Sequence, residues 1–147
     1  MAKKTTHPST LSPAEPDEDR SITIESDEIA LVKDPRGRVA EQFRGLRNSI
    51  IALNPEGAPR SVVLTSTATG EGKTVATINL GLALAELPGT EVLIIDANLH
   101  TPGVEGYLGL PSRQGLADVL AGTCPLDSAI RATSVPGVQV MGAGTLP

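Results

Sequence analysis

The sequence predicts an α/β domain built on a parallel sheet, with helices covering both faces. Three observations lead there. Two short, continuous apolar runs, residues 61–65 and 91–96, have the length and β-branched content of buried strands. Between them a glycine-rich loop opens into a stretch of good helix formers, so strand, loop, helix and strand follow one another as a βαβ unit. Hydrophobic residues make up 39% of the 147 positions, yet only Phe43 and Tyr107 are aromatic, so the core must be built from Val, Ile, Leu and Ala. At this length one core is expected, burying about two thirds of the unfolded surface.

Taken in order, residues 1–28 are rich in Pro, Ser, Thr and acid, contain the run Glu15-Pro16-Asp17-Glu18-Asp19, and read as a disordered tail. Residues 29–60 form an N-terminal helical region. Within it Val39, Phe43, Leu46, Ile50 and Leu53 step by four and three, the period of an amphipathic helix, with Pro35-Arg36-Gly37 before it and Asn54-Pro55 after it. Residues 61–147 form the nucleotide-binding domain. Its first strand is 61–65, and its first helix runs over 73–87 with Val75, Ile78, Leu82 and Ala85 available for one face, until Pro88-Gly89 ends it. The second strand is 91–96. Short helices are expected at 115–121 and 126–132 and a third strand at 138–141, after which the sequence stops with the sheet edge uncovered.

The loop carries the chemistry. Residues 66–74 read Ser-Thr-Ala-Thr-Gly-Glu-Gly-Lys-Thr, matching the phosphate-loop pattern except that Thr67 stands where its first glycine would be. Gly70 and Gly72 let backbone amides approach a phosphate, and Lys73 supplies a point charge to the β and γ oxygens. Leaving a strand and entering a helix, the loop aims its N–H groups and the positive end of the helix dipole at one anion. Residues Thr69, Gly70, Glu71, Gly72, Lys73, Thr74 and Val75 are therefore the candidate nucleotide contacts, with the Thr74 hydroxyl on Mg²⁺. The fold class is thus the three-layer, parallel-sheet P-loop NTPase. Asp96 ends the next strand, and ligands in open α/β sheets sit beyond the carboxyl ends of strands, so Asp96 is the candidate for metal or base chemistry beside Lys73.

Composition narrows the alternatives. Residues 1–60 carry nine Lys/Arg against ten Asp/Glu, and 61–147 three against seven, so no basic face for nucleic acid stands out. A lone cysteine, Cys124, allows neither an internal disulfide nor a multi-cysteine metal site. No apolar run follows Lys3 and Lys4, and none approaches the roughly 20 residues of a membrane span, so a cytoplasmic protein is expected.

These residues resemble the bacterial tyrosine kinases of the capsular polysaccharide type, a branch of the partition-ATPase group of P-loop proteins. Residues 65–74 look like the family's Walker A and lack the extra lysine of the Min and Par ATPases. Residues 92–102 look like its Walker A′, with Asn98 in place of a second acid and His100 in place of the usual arginine. Glu41, Arg44 and Arg47 match the Glu-x2-Arg-x2-Arg motif by which such kinases assemble into rings. The resemblance extends through 109–111, 115–122 and 142–147, and it implies a domain that continues past Pro147 with a Walker B aspartate and a tyrosine cluster.

The resemblance implies a protein-tyrosine kinase that uses ATP and Mg²⁺, autophosphorylates, forms homo-oligomers, and controls capsule or exopolysaccharide export. It also implies a separate membrane activator of the chain-length-regulator type, which would bring a cytoplasmic chain to the membrane. Two other readings share the loop: a partition-type ATPase that hydrolyses nucleotide to drive dimer cycling, and a nucleotide-binding scaffold without catalysis. Tyr107 reads as structural rather than as a phosphoacceptor.

Overall fold

The computed structural model describes residues 26–53 and 61–145. The tail expected over residues 1–28 therefore lies outside the described residues except at its last three positions. The described elements are α1 (Ala30–Lys33), α2 (Arg38–Ala52), α3 (Lys73–Ala85), β1 (Val92–Ile95), α4 (Val104–Tyr107), α5 (Leu116–Leu120), α6 (Leu126–Ala129), β2 (Arg131–Ala132) and β3 (Val138–Met141). The strand order is β1-β3-β2, with β1 parallel to β3 and β2 antiparallel to it. The sheet is thus mixed, where a purely parallel one was expected. The chain that follows α6 turns back within a few residues, so β2 can pair with β3 only in the antiparallel sense.

The central helix is α3, which buries Ile78, Leu80, Leu82 and Ala83. Ile78 and Leu82 meet Ile94 of β1, Val138 and Val140 of β3, and Val104 and Leu108 around α4, in one aliphatic cluster. Each such side chain contributes about 1.5–3 kcal/mol when taken fully out of water. Gly81 sets how close helix and sheet come, because a Cβ there would lie 2.8 Å from Ile94 Cδ1. Asn79, fully buried on the same helix, is satisfied by accepting from the Leu31 amide and donating to the Val75 carbonyl, which fastens α1 to α3.

Sequence expectations are corrected at several points. Residues 61–65 do not form a buried strand: they run without a ladder partner, and Val63 is 85% exposed. An apolar run becomes a strand only when neighbouring strands satisfy its backbone, and no described strand lies beside it. Helix α3 covers one face of the sheet through Ile94; on the other, Met141 of β3 is buried with Cys124 and Ala129 beside α5 and α6, while Leu93 and Ile95 of β1 stay 38% and 42% exposed. The apolar stripe on α2 is split: Val39, Leu46 and Leu53 are exposed, whereas Phe43 and Ile50 are half-buried. Helix α2 is tied to the end of α3 by Arg44 and Arg47, and Ala40 between them and Gly37 is fully buried. The helix expected over 126–132 stops at Ala129, and its last two residues become β2.

Candidate active site

Gly70 and Gly72 both adopt φ of +82°, the left-handed region that residues with a Cβ disfavour, and a Cβ at either would meet no heavy atom within 4 Å. The loop thus turns sharply while leaving open space around its backbone, then enters α3 at Lys73. The first helical turn is fastened by Thr77, whose hydroxyl donates to the Lys73 carbonyl at 2.8 Å.

The loop is satisfied by its own groups. Lys73 Nζ donates to Ser66 Oγ at 2.6 Å and to the Ala68 carbonyl at 2.9 Å. The Glu71 carboxylate turns back and accepts from the Ala68 amide at 3.1 Å. That amide, together with the Ser66 hydroxyl, the Thr67 amide and the Lys73 charge, holds the Glu71 carboxyl below the usual carboxylate range. Residues 63–66, 71–73 and 76 line an open cleft of about 400 Å³ against this loop.

Asp96 follows β1 and is 5% exposed. Its Oδ2 accepts from the Gly103 amide at 2.8 Å and the Val104 amide at 3.0 Å, and its Oδ1 from the Asn98 amide at 3.0 Å. The carboxylate thereby folds residues 96–104 into a closed loop and caps α4. Gly103 is the bridge to the phosphate loop, because a Cβ on it would lie 3.5 Å from both Thr74 Cγ2 and Oγ1. The structure thus brings Lys73, Thr74 and the Asp96 loop together at one end of α3 and β1. Asn98 is occupied locally: its amide nitrogen donates to the Thr101 hydroxyl and carbonyl, and its Oδ1 accepts from the Thr101 amide.

The donor set suits a magnesium-bound triphosphate: an ammonium, a hydroxyl and backbone amides with free space before them. Among the described residues no group of three or more His, Cys, Asp or Glu could hold a metal. A Mg²⁺ ion keeps waters and phosphate oxygens as ligands and needs few protein groups. Thr74 and Asp96 would be the protein side of such a site, and Mg²⁺ there would neutralise charge on the β and γ oxygens.

The candidate oligomerisation residues lie elsewhere, on α2. Arg44 donates to both carboxylate oxygens of Glu86, at 2.7 and 2.5 Å, and also to Glu41 at 2.5 Å and to the Pro35 carbonyl. Arg47 reaches the Ala83 carbonyl at 2.9 Å and Glu86 at 3.1 Å. Glu86 collects both arginines at the end of α3, and its carboxyl is held below the usual range chiefly by the Arg44 hydrogen bond. Sequence reasoning missed Glu86, Ser66, Gly103 and the pair Glu105–Arg131, which is almost fully withdrawn from solvent and joins α4 to β2. All but Ser66 and Gly103 are tied across 26 or more residues, beyond any local pattern.

Fold and site together define an α/β domain with a glycine loop at the head of its central helix. No family profile matches the chain. It is 29% identical over 113 residues to a putative tyrosine-protein kinase CapB of Staphylococcus aureus, covering 77% of this chain and 49% of that protein. It is 30% identical over 119 residues to the tyrosine-protein kinase YwqD of Bacillus subtilis, covering 81% and 50%. The kinase domain of the Escherichia coli tyrosine kinase ETK superposes with a TM-score of 0.76 at 25% identity, over 90% of this chain and 51% of that one. A shorter stretch of 77 residues, 51% of the chain, is 43% identical to a putative septum site-determining protein MinD of Oltmannsiellopsis viridis, 24% of whose length it covers. The chain is a homologue of the bacterial tyrosine kinases, and it spans about half the length of the curated relatives it matches.

Proposed function

We propose that this chain is the Mg·ATP-binding part of a bacterial protein-tyrosine kinase that regulates capsule or exopolysaccharide export. The observation that carries the reading is Lys73: it stands at the first turn of α3, and its ammonium is held inside the glycine loop by Ser66 and Ala68. Amides of residues 69–75 would cradle the phosphates, with Lys73 on the β and γ oxygens and Thr74 on Mg²⁺. Asp96 holds the 96–104 loop together beside Thr74 and would serve metal or base chemistry there.

In the complete protein a tyrosine hydroxyl attacks the γ phosphorus, the β–γ bridging bond breaks, and ADP leaves. Positioning and electrostatics supply most of the rate for such a transfer. Further strands beside residues 61–66 and helices over Leu93 and Ile95 would complete the three-layer P-loop fold. Homo-oligomerisation through Glu41, Arg44 and Arg47 would require the arginines to exchange Glu86 for a neighbour's carboxylate. A membrane activator of the chain-length-regulator type would bring the cytoplasmic chain to its place of action.

The test is transfer of radiolabelled γ-phosphate from ATP by the full-length protein. Label on tyrosine, lost in Lys73→Ala, supports the reading. Label released only as free phosphate would favour a partition-type ATPase, the reading that the MinD-like stretch supports. Neither product despite nucleotide binding would leave a scaffold, for which the local pairing of Asn98 with Thr101 speaks.

A further inference from the structure

The phosphate loop contains its own anion. Glu71 sits between Gly70 and Gly72, both at positive φ, and this path through the backbone returns its carboxylate to the Ala68 amide at 3.1 Å. Lys73 closes the same ring from the other side through Ser66 Oγ and the Ala68 carbonyl, and Ser66 Oγ itself donates to that carbonyl at 3.0 Å. An acidic oxygen, a backbone N–H, a hydroxyl and an ammonium thus meet around the Ala68 peptide, the same kinds of group that a phosphate and its cradle bring together.

We propose that Glu71 is an internal competitor for nucleotide, its carboxylate resting on the Ala68 amide at the edge of the 69–75 cradle, beside the Lys73 ammonium on the Ala68 carbonyl, and leaving when the triphosphate enters. This rests on the reading of the loop as a Mg·nucleotide site. The favourable setting of the Glu71 carboxylate, stabilised in its charged form by the Ala68 amide, is lost on binding, when it also comes to lie beside an anion of like charge. Glu71 therefore acts as a positioning residue that sets affinity for the phosphate tail, while leaving recognition of the nucleoside untouched.

The experiment measures dissociation constants of the full chain for Mg·AMP-PNP and for adenosine, in wild type, Glu71→Gln, Glu71→Ala and Lys73→Ala, with far-UV circular dichroism to establish folding. The expected result is that both Glu71 variants bind Mg·AMP-PNP about three- to tenfold tighter than wild type, the lower end reflecting solvent screening, with adenosine affinity unchanged. A merely looser loop would move both ligands together, and such parallel shifts overturn the proposal. Unchanged or weaker triphosphate binding in both folded Glu71 variants, with binding still lost in Lys73→Ala, overturns it while leaving the nucleotide site standing. If no variant, nor wild type, binds Mg·AMP-PNP, the site reading fails and the proposal fails with it.

Discussion

Asp96 shows how one side chain can serve structure and site together. With three backbone amides on its two oxygens, it organises the turn that lays Gly103 against Thr74. Replacing it with Ala leaves three N–H groups without their charged acceptor in a mostly buried place. Asp96→Ala is expected to cost about 2–3 kcal/mol of stability, read as a lowered midpoint in urea unfolding. Asp96→Asn, which keeps one carbonyl acceptor, is expected to lose less. An Asp96→Ala midpoint equal to wild type would mean that those amides find water at no cost. The pair Glu105–Arg131 obeys the same logic, because Arg131 Nε is buried without a partner among the described residues and its guanidinium depends on Glu105 and the Pro111 carbonyl.

At the level of elements, the joint between α2 and α3 is made by charge as much as by apolar packing. Glu86 accepts from both Arg44 and Arg47; the hydrogen bonds to Glu86 and then Glu41 raise the Arg44 guanidinium above its usual range, and the Arg44 bond chiefly depresses the Glu86 carboxyl. A carboxyl depressed in the folded state contributes stability above its unfolded pKa, about 4.5, and loses it as pH falls through the lower folded value. Because its side chain is 38% exposed, solvent screening limits the contribution to about 1 kcal/mol. Glu86→Gln should therefore lower thermal stability by a few degrees at pH 7, with the gap from wild type closing as pH falls below about 4.5. A gap that did not shrink on acidification would contradict the assignment of this joint to an ionised Glu86. The helix itself was legible in the sequence, but its packing face was not. A four-and-three spacing fixes which residues share a stripe, whereas the arginines that reach α3 are chosen by a carboxylate 39 and 42 residues away.

For the whole molecule, the parts that sequence reveals are those whose causes are local. The loop, the start of α3 at Lys73, and the strands at 92–95 and 138–141 are written in glycine placement, helix formers and β-branched runs. Residues 61–65 carry an equally good strand pattern and form none, because a strand exists only with a partner beside it. The expected consequence is visible to hydrogen exchange. Amides of residues 62–66 should exchange nearly as fast as in an unfolded chain, whereas Ile94 and Val140, in paired and buried strands, should be protected to the limit of global unfolding. Strong protection over 62–66 would show pairing that the fold described above does not contain. The central claim is that this half-length chain holds Mg·nucleotide through Lys73 and its loop, and calorimetric titration with Mg·AMP-PNP tests it most directly. Saturable one-to-one binding to the wild-type chain, at least tenfold weaker in a folded Lys73→Ala variant, is the result predicted. Equal binding by the two proteins, or none by either, would contradict it.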